Sequence, residues 1–145
     1  NLKINDFFII NPGSVVSNLI IKKETYQNLN GFDETTNPPY DKDLVIRYLY
    51  SNGKYNVLKK HLVIFRNDDY EKESNNKNTM YSGYQKLYQK HFDKMNLFNK
   101  IIMKLKILTL HQNKNDMKVS KIYLFPLKIV NFYYRMRFMI LNYIF

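Results

Sequence analysis

The feature that most constrains this chain is an acidic helix start held between two glycines. Gly31 follows the apolar-spaced stretch from Lys22 to Asn30, Pro38-Pro39 interrupt the chain, Asp41 and Asp43 follow, and Gly53 comes ten residues after Asp43. Glycine adopts the left-handed backbone that ends a helix at little steric cost, whereas proline cannot continue one. The spacing therefore predicts a short helix ending at Gly31 and a second running from about Asp41 to Gly53. Carboxylates suit the first turn of that second helix, where free N–H groups and the positive end of the helix dipole lie. Leu44, Val45, Tyr48 and Leu49 give it an apolar stripe, and Asp43 and Arg47 are an i,i+4 ion pair. In the helix before it, Tyr26 and Leu29 face inward, and Phe32 turns back to the core.

Short apolar runs flank this region. Phe7 to Ile10 ends at the turn signal Asn11-Pro12-Gly13, Val15-Val16 and Leu19-Ile20-Ile21 follow, and Tyr55 to Leu58 and Leu62 to Phe65 are rich in β-branched and aromatic residues. These runs read as strands. Asn67 to Asn78 is polar and reads as a loop. Met80, Tyr84, Leu87, Tyr88 and Phe92 have helical spacing between Thr79 and about Phe92, and Phe98, Ile101, Ile102, Leu105 and Leu108 mark a further helix. His111 to Val119 is a polar linker.

The 145 residues fit one domain, and 45% of them are hydrophobic, enough for a core. With no cysteine, a disulfide framework and thiolate zinc sites are excluded. His61, His91 and His111 stand too far apart for a local metal motif, and we assign them no role. The net charge of +11 is segregated: residues 1–73 hold ten basic and ten acidic side chains, and residues 74–145 hold thirteen and two. Such asymmetry points to an anionic partner for the second half alone.

The last segment, Lys121 to Phe145, has no uncharged apolar stretch long enough to span a bilayer. Lys128, Asn131, Arg135 and Asn142 share one narrow arc of a helix, with Ile129, Phe132, Tyr133, Met136 and Ile140 around the remainder and Arg137 as the misfit. That is the pattern of an interfacial helix, and packing on the rest of the protein is the alternative. Lysine interleaved with aromatics also suits nucleic acid, but no zinc-finger spacing, RNA-binding aromatic string or arginine cluster supports a nucleic-acid partner.

Gly31-Phe32-Asp33-Glu34, the proline loop, Asp41-x-Asp43-Leu44-x-x-Arg47, Gly53 and a run ending at Arg66 together resemble the C-terminal half of family 2 glycosyltransferases, inverting enzymes of the GT-A fold. The resemblance covers about residues 7–92. It implies an α/β architecture with a mixed sheet, in which residues 1–92 form the acceptor-side, catalytic-base half and 93–145 a basic amphipathic helical tail. It implies transfer of a sugar from a nucleotide-sugar to a glycan or lipid-linked acceptor hydroxyl, in cell-surface polysaccharide synthesis.

Position by position, Asp41 falls on the catalytic base, with Tyr40 in place of the family's usual glutamate. Asp33 and Glu34 border the acceptor site, and Asp43 and Arg47 support it. Asp68 stands where the family often has a metal-contacting histidine, so the divalent cation, magnesium or manganese, would meet Asp68. The helix dipole is expected to keep Asp41 ionised; the other role for Asp41 is a helix N-cap. Asp41-Lys42-Asp43 is not the family's diphosphate-binding Asp-x-Asp, because it follows prolines and opens a helix instead of following a strand. The donor-binding half is thus expected to be missing and the chain, which starts at Asn1, to be a fragment inactive alone. Its expected place is the cytoplasm, with peripheral attachment to the inner face of the plasma membrane through residues 121–145. The rivals are a nucleic-acid-binding module and a non-catalytic membrane-surface module.

Overall fold

The computed structural model describes residues 3–10, 15–36, 38–58, 60, 62–64, 76–111, 125–133 and 136. Their regular structure is helical: α1 (Ile4–Ile9), α2 (Lys23–Asn28), α3 (Tyr40–Tyr50), α4 (Lys77–Lys90), α5 (Leu97–His111) and α6 (125–133). Single tighter turns occupy Val16–Asn18, Glu34–Thr36 and Phe92–Lys94. No strand occurs among the described residues, so the expected α/β half-domain with a mixed sheet is overturned and the fold is all-α.

The helix ends have identifiable causes. Asn76 caps α4 by accepting from the N–H groups of Asn78 and Thr79 at 3.1 and 3.2 Å, and the Asn96 side chain accepts from the Asn99 N–H at 2.8 Å ahead of α5. Asn30 and Gly31 are both left-handed after α2, and Asn52 is left-handed after α3. The N–H groups of Gly31 and Gly53 reach back to the carbonyls of Tyr26 and Tyr48, while those of Asn30 and Asn52 reach Gln27 and Leu49, which is the paired closure of a Schellman motif. Gly53 therefore ends α3 as expected, but asparagine carries the left-handed turn. The glycine is required for space: a Cβ there would lie 2.5 Å from the Tyr48 ring.

α4 and α5 pack on each other, and the ring of Tyr81 early in α4 lies 4.6 Å from that of His111 at the end of α5, so the two run antiparallel. α1 packs against both α3 and α5. The core joins Phe7 and Phe8 of α1, Ile46 of α3, Tyr84 and Leu87 of α4, Met95, and Met103 and Ile107 of α5. A smaller cluster joins Ile9, Ile102 and Leu127, the last on α6. Asn99, buried on α5, donates to Asn5 of α1 at 3.0 Å and ties these helices at their polar edge.

The strand expectations fail for separable reasons. Phe7 to Ile9 is too short a run for periodicity to decide between helix and strand. Packing on α3 and α5 decides for helix, and the Asp6 carboxylate, accepting from the Lys3 N–H at 2.8 Å, fixes its start. Around Val15 and Leu19 the chain makes one tight turn with extended flanks. Val57, Leu58, Leu62 and Ile64 have the composition of strands but lie exposed in irregular backbone; β-propensity records the fit to a pleated, half-buried surface, and no sheet is present among the described residues to provide one. Phe65 lies outside the described residues.

Leu87 is fully buried and Ile64 is 94% exposed. Leu87→Ala is therefore expected to lower unfolding free energy by about 2–5 kcal/mol and Ile64→Ala to leave it within about 0.5 kcal/mol, measured by urea denaturation.

Candidate functional site

On a helix, residues two apart point about 200° away from each other. Asp41 and Asp43, at the start of α3, therefore cannot share a surface, and the structure gives them opposite fates. Asp43 is completely buried and Asp41 half-buried.

A buried carboxylate requires cations and donors around it. Asp43 Oδ2 receives Arg47 Nε at 2.8 Å and Lys90 Nζ at 3.0 Å, and Asp43 Oδ1 lies 2.8 Å from His91 Nε2. Lys90 Nζ also reaches Asp33 Oδ2 at 2.5 Å. Arg47 uses its other nitrogens on the carbonyls of Leu29 and Gly31, the latter at 2.7 Å. One carboxylate thus joins α3, the end of α4 and the turn after α2. Burial pushes the pKa of Asp43 up, but the bonds from His91, Lys90 and Arg47 outweigh it and the net shift is downward. Asp33, held by Lys90 and by the hydroxyl and N–H of Thr35 at 2.6 and 2.9 Å, also has its pKa lowered.

His91 itself is buried, with its ring between Phe8 and Tyr50; the Tyr50 ring is nearly parallel to it at 6.4 Å. Facing a carboxylate, Nε2 donates. Nδ1 has no hydrogen-bond partner among the described residues.

The turn Gly31-Phe32-Asp33 carries an aromatic row. Tyr26 meets Phe32 edge-on at 5.5 Å, Phe32 meets Tyr40 edge-on at 5.2 Å, and the Phe32 N–H donates to the Tyr26 hydroxyl at 3.2 Å. Asp41 follows Tyr40 directly. It is not an N-cap: Pro39 precedes the helix, and Asp41 Oδ1 accepts from the next residue's N–H, that of Lys42, at 2.7 Å. No cation pairs with Asp41 among the described residues. Burial raises its pKa, and the Lys42 N–H and the Lys42 charge oppose that shift.

Lys42, between the two aspartates, is buried. Its Nζ donates to the Phe8 carbonyl at 3.1 Å and sits 5.8 Å from the centre of the Tyr84 ring. Burial, with Lys106 nearby, pulls its pKa well below the ordinary lysine value.

The structure thus brings Asp33, Asp43 and Arg47 into one network and leaves Asp41 outside it; Glu34 is exposed in the tight turn, and Asp68 lies outside the described residues. For the implied divalent cation the described residues are a poor fit. No three His, Asp or Glu side chains converge among them, and the oxygens of Asp33 and Asp43 face ammonium and guanidinium groups that would repel a metal. Sequence reasoning missed Lys42, Lys90 and His91. Lys42 could have been found, since it shares a helix face with Ile46 and Leu49. His91 could not, because its partner lies 48 residues away. Compared with known proteins, the chain matches no family model, no curated protein and no solved structure.

Lowered carboxylate pKa values mean that the unfolded chain binds more protons than the folded one as pH falls. The stability from Asp33 and Asp43 is full above the unfolded aspartate pKa near 4 and is lost as pH drops through the folded values. Acid titration followed by circular dichroism should show this loss, and a shallower one in Asp43→Asn. At neutral pH Asp43→Ala should cost about 3–5 kcal/mol, because Arg47 and Lys90 lose their buried partner.

Lys42 titrates at the other end of the scale. Its folded pKa lies below its unfolded value, so stability rises with pH from the folded pKa up to about 10.4. Lys42→Met should abolish that rise in denaturant midpoints measured between neutral and alkaline pH.

Proposed function

We propose that these residues form the acceptor-activating part of a sugar transferase, with Asp41 as the base that removes the proton of an attacking hydroxyl. The reading draws on the family 2 resemblance of Gly31-Phe32-Asp33-Glu34 and Asp41-x-Asp43-Leu44-x-x-Arg47, and on the site geometry independently of any GT-A fold. The observation that carries it is the contrast between the aspartates. Asp33 and Asp43 are saturated by Lys90, Arg47 and His91, whereas Asp41 forms no ion pair among the described residues, is half-buried and holds its proton more tightly than an ordinary aspartate despite the neighbouring Lys42 charge. A carboxylate whose pKa is moved toward neutrality is a better general base than one pinned in an ion pair.

The aromatic row of Tyr26, Phe32 and Tyr40 gives the neighbouring turn a rigid apolar border, suited to the faces of sugar rings. Asp43 and Arg47 act as positioning residues that hold the turn; Asp33 and Glu34 lie on it. The donor would be a nucleotide-sugar and the acceptor a glycan or lipid-linked hydroxyl, in cell-surface polysaccharide synthesis on the cytoplasmic side of the membrane. Donor binding requires residues beyond those described.

Asp41→Asn in the protein as it is expressed should lower sugar transfer to hydroxyl acceptors, assayed across a panel of labelled nucleotide-sugars, by about 10²–10⁴-fold while the circular dichroism spectrum and urea midpoint stay close to wild type. Transfer that survives the substitution rejects Asp41 as the base.

A further inference from the structure

α5 and α6 are apolar on more sides than the core uses. On α5 the inward face holds Ile102, Met103 and Ile107, yet Leu97, Phe98, Ile101 and Leu108 are exposed, Leu97 by 75%. At 100° per residue, Leu97, Ile101 and Leu108 fall within about 40° of one another, with Lys104 about 20° to one side and Phe98 about 60° to the other. On α6, Leu127 is buried and Val130 half-buried against Ile9, Ile102 and Leu105, so the inner face is occupied. Phe125, Ile129 and Phe132, at i, i+4 and i+7, lie on the opposite side with exposures of 68, 53 and 67%, and Tyr133 beside them is 60% exposed. Because α6 packs on α5, the two outward stripes belong to neighbouring helices. Large aromatic and aliphatic side chains in such a stripe mark an interaction surface.

The charge around the stripes identifies its occupant. Neither α5 nor 125–133 contains an acidic residue, and Lys104 and Lys128 are exposed on them. A second copy would bring the same lysines and be repelled, whereas an anionic lipid surface takes the apolar stripe into its acyl boundary and the lysines at its headgroups. Among the described residues no helix is long and apolar enough to cross a membrane, which leaves the in-plane geometry.

The geometry points to a monotopic lipid-binding face: the outward stripes of α5 and α6 insert into the surface of an anionic bilayer, with Phe125, Ile129 and Phe132 as the inserted side chains. The chain contains no tryptophan, so Phe132→Trp supplies a single reporter. The 145-residue chain should float with vesicles of phosphatidylcholine containing about 30% phosphatidylglycerol, and the reporter's emission should shift to the blue. Ile129→Asp with Phe132→Asp, both at exposed positions, should weaken flotation at least about tenfold with no change in urea midpoint. Lys104→Gln and Lys128→Gln should each weaken it by about fivefold, and so should salt raised to about 0.5 M for the wild type.

Absence of flotation, or flotation unaffected by the two aspartates, overturns the proposal. So does a dimer in sedimentation that the two aspartates dissolve, which would assign the face to a second copy, and so does loss of vesicle binding to competing single-stranded nucleic acid. Flotation uses no sugar donor, so its failure leaves the transferase reading untouched.

Discussion

The rest of the structure depends on the burial of one carboxylate, that of Asp43. An ionised group with no access to water must be surrounded by charge and donors or the fold does not form. Arg47 alone, one helical turn away, would satisfy one oxygen. The remaining capacity is met by Lys90 and His91 at the end of α4, which places that helix end against the start of α3. Arg47 then has donors to spare, and they take the Leu29 and Gly31 carbonyls left open at the end of α2. The position of the Gly31-Phe32-Asp33 turn follows from a charge that the turn does not itself carry.

Helical geometry turns this into a division of labour. With Asp43 directed inward, Asp41 must point outward, and Lys42, about 100° from each, falls on the face shared with Ile46 and Leu49. That face lies against Phe8 and Tyr84, so an amine is drawn into a site where its nearest partners are a carbonyl and a ring. Three consecutive charged residues thus meet three environments. Asp43 is compensated, Lys42 is desolvated, and Asp41 is partly desolvated with only Lys42 to offset it. The first and second restrain α3 on two faces about 100° apart, and the third lies outside both sets of contacts.

What the sequence made legible were the features set by neighbours along the chain. The helical stretch after Lys22, the acidic start of α3, the Asp43–Arg47 pair and the two later helices are fixed within a few residues by caps, stops and i,i+4 spacing. Features decided across the chain were not legible. Phe7 and Phe8 have strand-like composition and become helical because α3 and α5 offer them a surface. The expected sheet fails for the complementary reason: Val57, Leu58 and Ile64 offer strand residues with no described strand to pair with. At the site, Asp33 and Asp43 were visible as carboxylates near one turn, but Lys90, the cation they share, comes from the end of α4, more than forty residues later. Without Lys90 and His91, nothing distinguished Asp41 from its neighbours except the family resemblance.

The charge segregation gains a structural meaning from the same contacts. The acidic residues of the 31–43 segment that enter the network draw their ammonium partner from the basic half, through Lys90. That link neutralises the junction and leaves the excess positive charge farther along, on α5 and beyond. A fold that had used its lysines evenly to cover the apolar sides of α5 and α6 would have made an ordinary soluble surface. Here Lys100 and Lys106 turn to the rings of Phe92 and Tyr84, and among the described residues Leu97, Ile101, Phe125 and Phe132 stay exposed. The molecule therefore has two chemically different regions, a hydrogen-bonded acidic turn beside Asp41 and a basic, apolar helical face. The core of Phe8, Ile46, Leu87 and Met103 keeps them in a fixed relation. A carboxylate that acts on a hydroxyl gains from such an arrangement whenever the acceptor is itself held at a surface, because the orientation of the turn is then set before the acceptor arrives.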